Sequence, residues 1–296
     1  MTANAINGLL RADVKWQAND LDNPQQILVL NLMPTKRTTE RQFLSTFDYL
    51  DHDVEITFLY PKTHSFKTVS GEKISRCYCC LSDIADKHYD GLIITGAPVE
   101  KLRFGQVDYF NELKEIIAWA HSNVTEILCE CWAAQAVLNI ENGVSKRLLD
   151  KKLFGIYCAD QIEKNCLTDG LSTGAGLTMP QSRHTEITGF EDIADLKVLA
   201  SSKVAGPCIL RNDDLNETFV TGHPEYSLET LLIEYHRDLN KHLPIKRPEN
   251  YFVGMDEEEI NYSWRQTSLQ LYNNWLNLIT QTQKVGINNE RRKVSI

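Results

Sequence analysis

The sequence predicts an α/β protein, an open and mostly parallel sheet flanked by helices. Three observations predict it. Residues 27–32 and 91–95 are near-continuous apolar runs, the composition of central parallel strands buried on both faces. Helix-patterned segments alternate with strands through the first half, as in βαβ units with right-handed crossovers. Cys131 stands between the β-prone residues 125–128 and the small, helix-forming residues 133–138, where strand should turn sharply into helix.

In order, residues 1–25 read as an N-terminal arm, extended and closed by Pro24 just before the first strand. Thr38 then caps an amphipathic helix running towards Tyr49, and a second strand spans residues 54–60. Residues 61–80 are polar and read as loop, 82–87 as a short helical piece, and the strand at 91–95 ends in the turn Gly96-Ala97-Pro98. Residues 108–121 form a helix before the Cys131 strand-turn-helix. The second half opens with the basic stretch 146–152, followed by 153–157 and a Gly/Thr-rich loop at 168–178. Short strands are predicted at 196–200, 208–210 and 218–221, with helices at 228–239 and 264–279 around an irregular segment at 240–262. The charged residues 288–293 read as a mobile tail. Residues 26–280 are thus expected to be a single catalytic domain, with 281–296 as a polar C-terminal tail. No internal repeat is evident.

A chain of 296 residues is long enough to bury a full core. Its 31 basic and 40 acidic side chains give a net charge of −9, and the basic residues are scattered, which argues against a nucleic-acid or anionic-membrane surface. No apolar signal segment or membrane-length run occurs, so a cytoplasmic location is expected. The 8 cysteines are then reduced thiols rather than a disulfide framework. Cys77-Tyr78-Cys79-Cys80 and Cys129-Glu130-Cys131 lack a second pair at structural-zinc spacing, so no metal is expected.

The strand-to-helix turn at Cys131 has the form of a nucleophile elbow. Such a turn holds the side chain out of the sheet, and the positive end of the new helix favours thiolate over thiol. The other reading of a lone cysteine in an apolar run is a buried core thiol. His223 also sits at a predicted strand end, in Gly222-His223-Pro224-Glu225. In open parallel sheets the carboxyl ends of strands share one edge, so Cys131 and His223 can face each other. The imidazole would take the thiol proton, and Glu225 would fix its tautomer. Taken alone, His223-Pro224-Glu225 also fits a histidine capping a loop. The backbone N–H of Trp132 and a donor from the Gly96-Ala97 turn would make an oxyanion hole; an ordinary tight turn is the alternative reading of Gly96-Ala97.

Asn31-Leu32-Met33-Pro34, Thr95-Gly96-Ala97-Pro98, Cys131-Trp132-Ala133-Ala134-Gln135-Ala136, Ser182-Arg183, Thr221-Gly222-His223-Pro224-Glu225-Tyr226 and Asn274-Trp275-Leu276-Asn277 stand in this order along the chain. Together they resemble the homoserine O-acyltransferases, the homoserine transsuccinylase family, whose fold is similar to that of class I glutamine amidotransferases. The resemblance covers residues 25–280. It implies that Cys131 becomes an acyl-thioester by attack on an acyl-CoA, that His223 is the general base, and that Glu225 orients it. It further implies substrate-binding roles for Lys152 and Ser182, and for Arg237 the binding of the amino-acid carboxylate, to which its bidentate fork is suited. Solvated surface charge is the alternative reading for Lys152 and Arg237. Within the family a glutamate at the position of Glu100 accompanies acetyl-CoA, and a glycine accompanies succinyl-CoA. A carboxylate there fills the room a four-carbon diacid needs and repels its terminal carboxylate.

The resemblance therefore implies an acetyl-CoA-dependent O-acetyltransferase acting on L-homoserine in methionine biosynthesis. It implies no cofactor beyond acetyl-CoA as co-substrate, and a homodimer. L-serine is the alternative acceptor, in cysteine biosynthesis, because one methylene is discriminated by only about 1–3 kcal/mol. Two departures from the family bear on that choice: the short arm before Gln25, and Gln181 in place of the histidine expected before Ser182-Arg183. Succinyl-CoA as donor, glutaminase or peptidase chemistry, and a non-catalytic redox protein on the same fold are the remaining rivals.

Overall fold

The computed structural model describes residues 2–13, 18–66, 68–171, 176–254 and 256–294, with side chains from residue 285 onward excepted. The first half of the chain alternates strand and helix. It comprises β1 (Ala3–Ala5), α1 (Leu9–Asp13), β2 (Gln25–Leu30), α2 (Lys36–Phe47), β3 (Val54–Leu59), α3 (Gly71–Cys77), α4 (Leu81–Ile84), β4 (Tyr89–Ile94), α5 (Phe110–Asn123), β5 (Val124–Glu130) and α6 (Trp132–Asn142). The second half is richer in strands: β6 (Ser145–Gln161), β7 (Leu177–Thr188), β8 (Leu196–Ser202), β9 (Gly206–Asn212), β10 (Glu217–Val220), α7 (Thr230–Asn240) and α8 (Arg265–Val294).

Among the described residues the strands form one ten-stranded sheet in the order β1-β3-β2-β4-β5-β10-β9-β8-β6-β7. From β1 to β10 the neighbours run parallel. Beyond β10 they run antiparallel. The parallel half carries the apolar runs because helices cover both of its faces. One face packs Ile27, Val29, Ile93 and Leu128 against Tyr272, Trp275 and Ile279 of α8. The other packs Leu28, Leu92, Ile127 and Cys129 against α5 and α6. The fold class read from the sequence is the one observed.

Several local expectations are corrected. Residues 1–25 are not simply an extended arm: Ala3 pairs with Val54 to extend the sheet by one strand. The Glu40 carboxylate accepts from Leu9 N and Leu10 N (2.8 and 2.7 Å), capping α1 with an anion at its positive end. The polar stretch 61–80 contains α3, started by Ser70, whose side chain accepts from Lys73 N. Residues 145–161 form one long strand across both the basic stretch and its sequel. Its partner β7 was not anticipated, although it carries Gln181, Ser182 and Arg183. Of the Gly/Thr-rich loop, residues 172–175 lie outside the described residues; those at 14–17 of the arm, 67 of the polar loop and 255 of the irregular segment do so too. The charged segment 288–293 continues α8, since no proline interrupts the chain beyond Pro248. No helix among the described residues is long and apolar enough to cross a membrane.

Gly91 is the point of closest approach between sheet and α8. A β-carbon there would collide with the Trp275 ring and lie 2.9 Å from Ile27 Cδ1 and 3.0 Å from Ile279 Cδ1. All three side chains are fully buried. Gly91→Ala is expected to lower the urea-unfolding free energy by about 1–3 kcal/mol through overpacking, with the denaturant slope unchanged.

Candidate active site

β5 delivers Cys131 to the carboxyl edge of the sheet, and α6 begins at the next residue. Cys131 holds φ 49° and ψ −112°, a backbone state that an L-residue adopts only where its surroundings impose it. The imposition comes from β10: Cys131 N donates to Val220 O at 2.8 Å, continuing the β5–β10 ladder one residue past the strand. The turn residue Gly96 leaves no room on the other side. A β-carbon there would sit 3.2 Å from Cys131 Cβ and 3.1 Å from His223 Cε1. Gly96-Ala97 thus lies against the thiol, and Trp132 opens the helix beside it. The two backbone segments expected to supply oxyanion donors flank the sulfur.

His223 follows β10 by three residues, and its backbone N donates to Pro180 O at 3.0 Å. Its Nδ1 lies 2.8 Å from Glu225 Oε1, and its ring stacks on Tyr226 with centroids 4.1 Å apart. Its ring carbon Cε1 and the Cys131 side chain both lie against Gly96, so imidazole and thiol are neighbours. Burial alone would lower the imidazole, but the charges of Cys131 and Glu225 outweigh it and hold its pKa well above the ordinary histidine value. Cys131, His223 and Glu225 are all buried. A dry thiol–imidazole–carboxylate row is competent for nucleophilic attack on a carbonyl, with the imidazole carrying the proton.

Lys152, Ser182 and Arg237 gather in a second cluster around Glu234 and Asp238, neither of which was singled out from sequence. Ser182 Oγ donates to Glu234 Oε2 at 2.6 Å, and Lys152 Nζ lies 3.5 Å from Glu234 and 3.4 Å from Asp238. Arg237 Nε donates to Asp238 Oδ1 at 2.7 Å, while the side chain stays half exposed and its terminal nitrogens make no hydrogen bond among the described residues. Tyr226 joins the two clusters, its ring on His223 and its hydroxyl on Glu234 Oε1 at 2.7 Å. The signal for Glu234 and Asp238 was the i, i+4 spacing that puts both carboxylates on one face of α7.

Glu100 lies elsewhere, in the loop after β4, and lines a cleft of about 300 Å³ with Lys101, Phe104, Lys146, Arg147 and Thr185. Lys146 Nζ donates to the Glu100 carbonyl at 2.6 Å; burial pulls this lysine down to about 8 despite the opposing Glu100 charge. Burial and the charge of Lys101 hold the His184 imidazole below its ordinary value, against the opposing charge of Glu100. Gln181 is fully buried; its Oε1 accepts from Arg183 Nε at 2.9 Å, which turns Nε2 towards Gly222 without a partner. Among the described residues a metal ion could be held by His121, Glu141 and Glu217, with ligand atoms within 4.8 Å of one another. Glu217 starts β10, so this group lies at the opposite edge of the sheet from Cys131.

The homoserine O-succinyltransferase family model matches residues 9–285. The homoserine O-acetyltransferase of Bacillus subtilis (strain 168) is 41% identical over 259 residues, 86% of this chain and 85% of that protein. That of Geobacillus sp. (strain WCH70) is 42% identical over the same shares. In fold the chain resembles a glutamine amidotransferase from Thermotoga maritima, with TM-score 0.57 and 11% identity over 87% of this chain and 99% of that one. It resembles a glutamine amidotransferase from Methylobacillus flagellatus at TM-score 0.55 and 12% identity, over 86% and 94%. The chain therefore belongs to the homoserine O-succinyltransferase family, acyltransferases that here stand on a glutamine amidotransferase-like fold.

Proposed function

We propose that the protein transfers an acetyl group from acetyl-CoA to the hydroxyl of L-homoserine through an acetyl-thioester on Cys131, and so serves methionine biosynthesis. The observation that carries this reading is the thiol held at a positive-φ turn beside a buried His223–Glu225 pair. His223 takes the Cys131 proton, and the thiolate attacks the thioester carbonyl. The tetrahedral oxyanion is stabilised by the backbone N–H groups of Trp132 and Ala97. CoA leaves as the thiol, carrying the proton from His223. The homoserine hydroxyl then attacks the acetyl-Cys131 carbonyl while His223 removes its proton. Collapse releases O-acetylhomoserine and restores the Cys131–His223 pair. Glu225 keeps the imidazole in the tautomer whose Nε2 faces the sulfur.

Arg237, with donors turned to solvent, takes the acceptor's carboxylate, and Lys152 and Ser182 complete its site. Acetyl-CoA as donor is supported by Glu100 and by the names of the Bacillus and Geobacillus relatives. The reaction needs no resident cofactor, the catalytic unit is residues 26–280, and the protein acts in the cytoplasm as a homodimer. L-serine is the second acceptor to test, because Gln181 presents an unpartnered N–H beside Gly222, next to His223.

Free-thiol release from acetyl-CoA is expected with L-homoserine and not with L-serine, and to vanish in Cys131→Ala. Release driven by serine moves the protein to cysteine biosynthesis, and release by Cys131→Ala overturns the thioester route. Glu225→Gln removes the charge that raises His223, so the thiolate is less stabilised. The rate of Cys131 alkylation at neutral pH should fall, and kcat should drop by about 10²- to 10⁴-fold. Glu100→Gly is expected to raise kcat/KM for succinyl-CoA relative to acetyl-CoA by at least about tenfold, as removal of a carboxylate that repels the succinyl terminus predicts; an unchanged ratio removes Glu100 from donor choice.

A further inference from the structure

Glu130, the residue before Cys131, is completely buried and has no place in the steps above. Strand alternation points it, like Leu128, at the face covered by α8, where Tyr272 Oη donates to its Oε1 at 2.6 Å. Its other oxygen, Oε2, is buried with no hydrogen-bond partner. Glu225, also buried, gives Oε1 to His223 and leaves its own Oε2 without a partner. Buried carboxylate oxygens are rarely left unsatisfied, because an unpaired one costs about 1–3 kcal/mol or more when charged. Here two such oxygens belong to carboxyls that border the same turn: Glu130 directly precedes Cys131, Glu225 bonds His223, and Cys131 and His223 meet at Gly96; beyond burial, the charge of Glu225 acts on Glu130. Tyr272, Glu130, Glu225 and His223 are all buried and linked in pairs by hydrogen bonds, so these groups are dry.

With both carboxyls ionised and the thiolate formed, the cluster would hold three negative charges against the single positive charge of His223. One proton removes the difficulty. We propose that Glu130 is a neutral carboxylic acid whose Oε2–H donates to Glu225 Oε2, so that Glu130 positions Glu225 while Tyr272 anchors the acid's carbonyl oxygen. Each orphaned oxygen then has its partner. Glu225 is held at both oxygens, by His223 on one and Glu130 on the other, which fixes the rotation that aims Oε1 at the imidazole. Burial and the adjacent Glu225 charge both push Glu130 well above the usual carboxylate range, in the direction this arrangement requires. The proposal rests on the reading of Cys131, His223 and Glu225 as the reacting set.

The test compares Glu130→Gln, whose amide N–H replaces the acid O–H at the same charge, with Glu130→Leu, which has no donor. A carboxylic-acid carbonyl band is expected in the infrared difference spectrum of wild type minus Glu130→Gln at neutral pH. Glu130→Gln should keep the pH profile of Cys131 alkylation and its kcat within about twofold, whereas Glu130→Leu should lose about tenfold in kcat with KM for homoserine unchanged, the loss of one hydrogen bond. The proposal is overturned if the acid band is absent. It is also overturned if Glu130→Gln moves the alkylation profile to lower pH, as removal of an anion would, or if Gln and Leu behave alike. The infrared result does not depend on turnover, so it stands or falls separately from the acyl-transfer reading, which Cys131→Ala decides.

Discussion

The feature on which the site depends is the backbone of a single residue. Cys131 sits at positive φ, a state that costs of order 1–3 kcal/mol in a non-glycine residue and survives only when neighbours over-determine it. Three neighbours do so. β10 accepts its N–H, α6 begins directly after it, and Gly96 fits against its β-carbon. The same three bring His223, Trp132 and Ala97 around the sulfur. Geometry and chemistry are set by one turn.

The surroundings supply what the turn cannot. His223 is buried, which alone would lower its pKa, yet the charges of Cys131 and Glu225 beside it hold it well above the ordinary histidine value. Tyr226 then couples this row to the Glu234–Lys152–Ser182 network through one side chain, its ring on one and its hydroxyl on the other. Arg183 closes the far side of that strand, fully buried and donating to Gln181, Thr185 and Ala205. β7 is thus as much part of the site as the parallel strands.

What could be read in the sequence was what local pattern encodes. The apolar runs of β2 and β4 gave the parallel sheet, and the change from β-prone to helix-forming residues at Cys131 gave the turn. The family resemblance was carried by short motifs that lie at strand ends or turns. β7 escaped because its polar and charged residues, Gln181, Arg183 and Thr185, are buried by partners distant in sequence. Glu130 escaped for the same reason: a lone acid in a string of letters does not reveal whether a tyrosine from a helix 142 residues away will meet it. α1 depended on Glu40, more than one element away.

The reach of α8 has a further consequence. Gln25, at the start of β2, bonds the backbone of Leu276, 251 residues later, and Thr282 bonds Glu126 of β5 across 156. Until α8 leaves the ribosome, the face of the parallel sheet that carries Ile27, Val29, Ile93 and Leu128 has the earlier α1 and α2 beside it but lacks Tyr272, Trp275 and Ile279. Every strand of the catalytic edge can be synthesised before this face is complete. Assembly of the face therefore closes with the docking of α8 on strands already made, a contact between the two ends of the chain.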